Sequence, residues 1–186
     1  ACVTFQLQSC GSFRLQFTLW HQNQKNYSIQ DYKNGLPHGQ LQEWDEEGKK
    51  RREGFYIEGK ANGKFYIFED GIKLYEIDYC DNQYHGKYIE WYKGETQKRY
   101  IEYKHGQKNG EDICWYENRK IQFKLKYLEG KIIFGEFYKP NGELGSKIID
   151  GNGVWKNWDI NGNLTDEFFY EDGEELISKL SKNYKY

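Results

Sequence analysis

The sequence predicts an all-β protein: an elongated antiparallel β-meander of about seven repeated hairpins, closed by a short C-terminal helical cap. Three observations predict it. Aromatic residues recur at a near-constant interval, at Trp20, Trp44, Phe68, Trp91, Trp115, Tyr138 and Trp158, and five of the six tryptophans fall in this column. A tyrosine column follows at Tyr32, Tyr56, Tyr79, Tyr103, Tyr127 and Tyr170, with Asp150 standing in the sixth unit. Three residues further on comes glycine, at Gly35, Gly59, Gly106, Gly130, Gly153 and Gly173, with Asn82 in the third unit. A fixed period of this length marks a stacked-repeat architecture. The expected organisation is an N-terminal capping hairpin over 1–19, the repeat array over 20–173, and a helical cap or tail over 174–186.

The elements follow in order. Val3, Phe5 and Leu7 alternate with polar residues, Gly11-Ser12 turns, and Phe13, Leu15, Phe17 and Leu19 alternate again, which is the pattern of a β-hairpin. Terminal units of a stacked array are atypical, so this hairpin reads as a cap. Inside the array each unit has two strands and two turns. Gly63 to Phe68 alternates, Glu69-Asp70-Gly71 turns and Lys73 to Tyr79 returns; Gly86 to Trp91, a turn at Lys93-Gly94, and Gln97 to Tyr103 copy it. Asp-Gly and Asn-Gly suit two-residue hairpins because both central residues take positive φ. His38-Gly39, Asn62-Gly63, His85-Gly86 and Asn109-Gly110 read as the turns between units, with His and Asn accepting positive φ. Parity puts Ile89 with Trp91, Ile113 with Trp115 and Tyr66 with Phe68 on one face, so the Trp column is expected to form the repeat core. The pattern degrades after Tyr127, where Phe134 replaces the second glycine and Gly153 serves for both. Leu176, Ile177, Leu180 and Tyr184 share one helical face, and Glu175 with Lys179 is an i,i+4 pair, hence the helical cap.

Composition narrows the chemistry. Hydrophobic residues make up 37% of the chain and aromatics 18%, with no methionine, so apolar burial rests on Trp, Tyr and Phe. The formal charge of −2 gives no long-range attraction toward nucleic acid. Lys49-Lys50-Arg51-Arg52 is the exception, a solvated hairpin flank beside Glu46, Glu47 and Glu53 or a small phosphate or headgroup patch. Cys2, Cys10, Cys80 and Cys114 contain no C-x-x-C, which argues against a zinc site; Cys2 and Cys10 suit either a short-range disulfide or free thiols. His21 and His105 lie at loops without a matched Ser, Cys or Asp constellation. No catalytic, cofactor-binding or metal-ligating set is expected, and the chain reads as non-enzymatic. The first residue is not Met, and Ala1-Cys2 and Leu7-Gln8-Ser9-Cys10 loosely resemble a bacterial lipobox. An exported or cell-envelope location is the expectation, a cytoplasmic one the alternative.

With Trp91-Tyr92-Lys93-Gly94, Tyr103-Lys104-His105-Gly106-Gln107-Lys108-Asn109-Gly110 and Trp115-Tyr116-Glu117-Asn118 in register, the chain resembles MORN repeats. It is more similar to their bacterial variant form, and the resemblance covers about Phe17 to Gly173. It departs at Asn82, Phe134, Asp150 and the shortened sixth unit. The resemblance implies a β-hairpin array used for binding, either as a protein scaffold or at membranes, and some bacterial relatives are labelled antitoxins. The expected function is a module that binds a protein partner through an aromatic-rich sheet face, scaffold-like or antitoxin-like. Peripheral membrane, lipid or glycan binding at the bacterial cell envelope is the alternative. The candidate partner-binding residues are Tyr92, Tyr103, Tyr116, Lys50, Arg51 and Arg52. The three tyrosines are expected to stand free of the core, so that replacing them weakens a partner without lowering the melting temperature.

Overall fold

A computed structural model describes residues 3–8, 14–20, 22–23 and 25–176, with side chains from residue 16 onward. The protein is all-β and antiparallel, and its strands follow one another as a meander. The chain forms two compact units, Ala1–Lys87 and Tyr88–Tyr186, so the division falls inside the expected array.

In the first unit β1 (Val3–Gln8) pairs with β2 (Arg14–Trp20), the expected capping hairpin. There follow β3 (Asn26–Lys33), β4 (Leu36–Trp44), β5 (Lys50–Ile57), the two-residue β6 (Lys60–Ala61), β7 (Gly63–Glu69) and β8 (Ile72–Cys80). Each pairs with the next, save that β5 pairs with both β6 and β7. β9 (Gln83–Trp91) carries the chain into the second unit. There β10 (Gln97–Lys104), β11 (Gln107–Trp115), β12 (Ile121–Leu128), β13 (Lys131–Tyr138), β14 (Leu144–Ile149), β15 (Asn152–Trp158), β16 (Leu164–Glu171) and β17 (Glu174–Glu175) continue the meander. Glu174 and Glu175 thus pair with β16 where a helix was expected. Ile177, Lys179, Leu180 and Tyr184 lie outside the described residues, as do Cys2, Cys10 and His21.

The turns between repeats are two-residue hairpins with both φ positive: Asn34-Gly35, Glu58-Gly59, Asp81-Asn82, His105-Gly106, Glu129-Gly130, Asp150-Gly151 and Asp172-Gly173. The right-handed twist of the strands selects this turn, and glycine at its second position takes the left-handed conformation without strain. Asn82 does the same at φ 68 and accepts a hydrogen bond from the Ala61 amide through its side chain. In the sixth unit the turn glycine is Gly151, and Ile148, fully buried, holds the place expected for Asp150 in the tyrosine column.

His38-Gly39, His85-Gly86 and Asn109-Gly110 are not turns. They lie within β4, β9 and β11, and only the glycines have positive φ. The reason is a carboxylate clasp. Asp31 accepts a hydrogen bond from the Gln40 amide (3.1 Å), Asp78 from the Lys87 amide (2.9 Å) and Glu102 from the Glu111 amide (3.0 Å). A Cβ on Gly39, Gly86 or Gly110 would collide with that carboxylate. Where the acid is replaced by Phe55, a Cβ on Gly63 would meet nothing; where it is Lys126, the glycine itself is replaced by Phe134.

The deepest burial is not in the Trp column, of which Trp158 alone is buried among the described residues. Bulges at Tyr27, Arg51, Leu74, Gln122, Gly145 and Thr165 interrupt the ladder beside Trp20, Trp44, Phe68, Trp115, Tyr138 and Trp158. Trp158 apart, the core forms on the opposite face. In the first unit it comprises Leu41, Ala61 and Phe65, with Tyr56 and Tyr79 packed against them. In the second it comprises Cys114, Phe123, Leu125, Tyr127, Ile132, Phe137, Ile148 and Trp158, flanked by Trp155 and Tyr170.

Candidate functional site

The expected binding tyrosines are mainly structural. Tyr116 is 6% exposed, and its hydroxyl donates to the Tyr138 carbonyl at 2.8 Å. Tyr92, half-buried, donates to the Trp115 carbonyl at the same distance. Each phenol therefore reaches across to the column aromatic of the following hairpin and satisfies a backbone acceptor that the bulged ladder leaves open. Burial, then the neighbouring Cys114, pushes the Tyr116 phenol up to about 12; the same two causes raise Tyr92. Tyr103, half-buried, meets Tyr88 edge-on at 6.4 Å between ring centroids. The expectation of free tyrosines is thus corrected for Tyr116 outright and for the hydroxyl of Tyr92.

The basic run does not make a patch. Lys50 pairs with Glu53 at 2.7 Å and stands over the Phe68 ring. Arg52 pairs with Glu43 at 2.9 Å, an ion pair that outweighs partial burial and raises its pKa. Arg51 occupies the bulge, is exposed, and has no ion-pair partner among the described residues. Strand geometry and local acids divide the cluster that reads as continuous in sequence.

An ion cluster in the second unit was not expected. Asp112 is fully buried and receives two hydrogen bonds from Arg99 (2.9 and 2.8 Å) and one from Lys108 (2.8 Å). Arg99 stands over Phe123 and Lys108 over Tyr127, at 5.4 and 4.8 Å from the ring centroids. Burial opposes the Arg99 charge, but the paired hydrogen bonds to Asp112 overcome it and raise its pKa. The signal was present in the repeat: three residues before each column aromatic stand Phe17, Leu41, Phe65, Tyr88, Asp112, Gly135 and Trp155, and Asp112 is the one acid among them.

One groove opens between two neighbouring turns of the second unit. Glu95, Thr96, Gln97, Trp115 and Arg119 line it, and its volume is about 460 Å³. Its two turns share one geometry. In the first, the Tyr92 amide donates to the Thr96 carbonyl (2.9 Å) and the Glu95 amide to the Tyr92 carbonyl (3.0 Å). In the second, the Tyr116 amide donates to Lys120 and the Arg119 amide to Tyr116, both at 2.9 Å. Equivalent turns carry positive-φ glycine at Gly48, Gly142 and Gly162; here Glu95 (φ 62) and Arg119 (φ 66) take that strained conformation, not Gly94.

Among the described residues no group of three or more His, Cys, Asp or Glu side chains is placed to hold a metal ion, and no helix is long and apolar enough to cross a membrane. Burial pushes the Cys114 thiol up to about 11, whereas Cys80 is exposed. Compared with protein-family models and with curated proteins, the chain matches none of them significantly.

Proposed function

We propose that the chain is a non-enzymatic, MORN-like repeat module that binds a protein partner through the outer sheet face of its second unit, in a scaffold-like or antitoxin-like role. One observation carries this reading: on the face opposite the core, apolar residues pair in register, and Phe134, Ile149 and Phe169 among them remain exposed. Phe134 lies opposite Ile149, and Val154 opposite Phe169; Ile149 is 57% and Phe169 51% exposed. Charges frame them, with Lys126 opposite Phe134, Lys147 paired to Glu136 at 3.0 Å and Lys156 to Glu167 at 2.9 Å. Exposed apolar pairs framed by charges are the anatomy of a protein-binding surface. The tyrosine face loses its place in the reading because Tyr92 and Tyr116 serve the fold. The lipid alternative loses its carrier because Lys50 and Arg52 are each paired with an acid.

The test is capture of partners on the native chain beside a variant with Phe134, Ile149 and Phe169 changed to Ser, each partner then measured with the purified pair. These side chains are exposed, so the variant is expected to melt near the native temperature while binding weakens at least about tenfold. Unchanged affinity in a folded variant would refute the surface.

A further inference from the structure

We propose that the groove over Trp115 is a binding site for a neutral saccharide unit, separate from the apolar surface around Phe134. Two other pairs of neighbouring turns are laced together by the same two turn positions. Asn23 donates to the Glu46 carbonyl and Lys25 to Glu47, both at 2.6 Å; Asn118 donates to Pro140 (3.1 Å) and Lys120 to Asn141 (2.7 Å). In the turn over 92–96 those positions hold Gly94 and Thr96, which cannot reach across, and the groove lies where the lacing would run. At the left-handed position stand Glu95 and Arg119 in place of the glycine of other turns. Gly94 and Thr96, which differ from the laced turns, and Glu95 and Arg119, which differ from the glycine-bearing turns, therefore meet at one place, and breaks of a local rule are expected at functional or strained sites.

The lining defines the ligand. Trp115, half-buried, offers an apolar indole. Around it Glu95 accepts hydrogen bonds, Arg119 donates them, and Thr96 and Gln97 do both. The acid and the base cancel, so no net charge on the ligand is favoured. The Tyr92, Glu95, Tyr116 and Arg119 amides are committed to carbonyls of their own turns, which leaves recognition in the groove mainly to side chains. A compact ring with apolar C–H faces and a hydroxyl-bearing edge matches a stacking floor with mixed donors and acceptors. The volume lies within the range of roughly 300–1,000 Å³ typical of small-ligand sites.

The test follows the indole N–H resonance of Trp115, assigned with Trp115→Phe, while maltotriose, cellotriose or adenosine is added to the full chain. A saturable shift with one of the two saccharides, with Kd on the order of 1 mM, is expected. Two variants locate it. Arg119→Gly removes the guanidinium together with a strained residue, so it should melt no earlier than the native chain yet bind at least tenfold more weakly. Gly94→Asn with Thr96→Lys installs the lacing and should abolish the shift. The proposal is overturned if neither saccharide moves the resonance at tens of millimolar, if adenosine alone does, or if the laced variant binds as the native chain does.

Discussion

Leu41 and Phe65 in the first unit and Asp112 in the second hold the same place in the repeat, three residues before a column aromatic, and all three are buried. In the first unit the position is apolar and anchors a small cluster with Ala61. In the second it is a carboxylate closed by Arg99 and Lys108 beside a cluster of eight buried residues. The larger core tolerates a polar substitution because two cations and two aromatic rings enclose it. At these three positions a volume is filled each time, by different chemistry. A buried pair of this kind adds little net stability, yet breaking it strands charge.

The largest effect follows from that asymmetry. Asp112→Ala leaves Arg99 and Lys108 without their counter-ion and is expected to cost about 3–5 kcal/mol in urea denaturation. Asp112→Leu combined with Arg99→Leu and Lys108→Leu makes the position resemble Leu41, and most of the loss should return. If the triple variant is as unstable as Asp112→Ala, the position is not interchangeable between the units and the comparison fails.

A middle-sized effect separates the two kinds of glycine. Gly63 in the first unit has φ 74 with open space around its would-be Cβ, so Gly63→Ala should cost about 1 kcal/mol from conformation alone. Gly110 in the second has φ 115 and sits against Glu102, whose carboxylate holds the Glu111 amide. Gly110→Ala must strain the backbone and displace that carboxylate, an additional cost of about 1–2 kcal/mol. Equal losses at the two sites would mean that the clasp does not constrain the strand.

Much of this was legible in the sequence. The meander and the two-residue turns follow from the period and from dipeptides such as Asp172-Gly173, because few residues accept positive φ. The clasp was misread because its partners, such as Asp31 and Gly39, are set by a bulge and not by adjacent sequence; His38-Gly39 then resembles a turn. The core face was misjudged for a related reason. Bulges at Arg51 and Gln122 keep the residue count while changing what lies opposite each aromatic, so alternation alone favoured the Trp column. The burial of Tyr116 depends on the Tyr138 carbonyl, 22 residues on, a distance over which no local pattern reports. The groove at Trp115 shows in sequence only once Gly94 and Thr96 are aligned with Asn118 and Lys120.

The smallest effect tests the phenol clamp of the second unit against the first, where Asp45 holds the position of Tyr92 and Tyr116 and accepts from the Lys49 amide of its own turn. Tyr116→Phe deletes one hydrogen bond to the Tyr138 carbonyl and should cost about 1 kcal/mol near neutral pH. Its pH dependence has a definite sign. Burial raises the folded-state phenol to about 12, above its ordinary value of about 10. The stabilisation is therefore complete below pH 10 and is lost as pH climbs through 12, because the unfolded chain releases that proton first. Across this window the native chain should lose melting temperature more steeply than Tyr116→Phe, so that the gap between them narrows. A gap that stays constant from pH 9 to 12 would show that Tyr116 is not held neutral by the fold and that the clamp is no stronger than the aspartate turn it replaces.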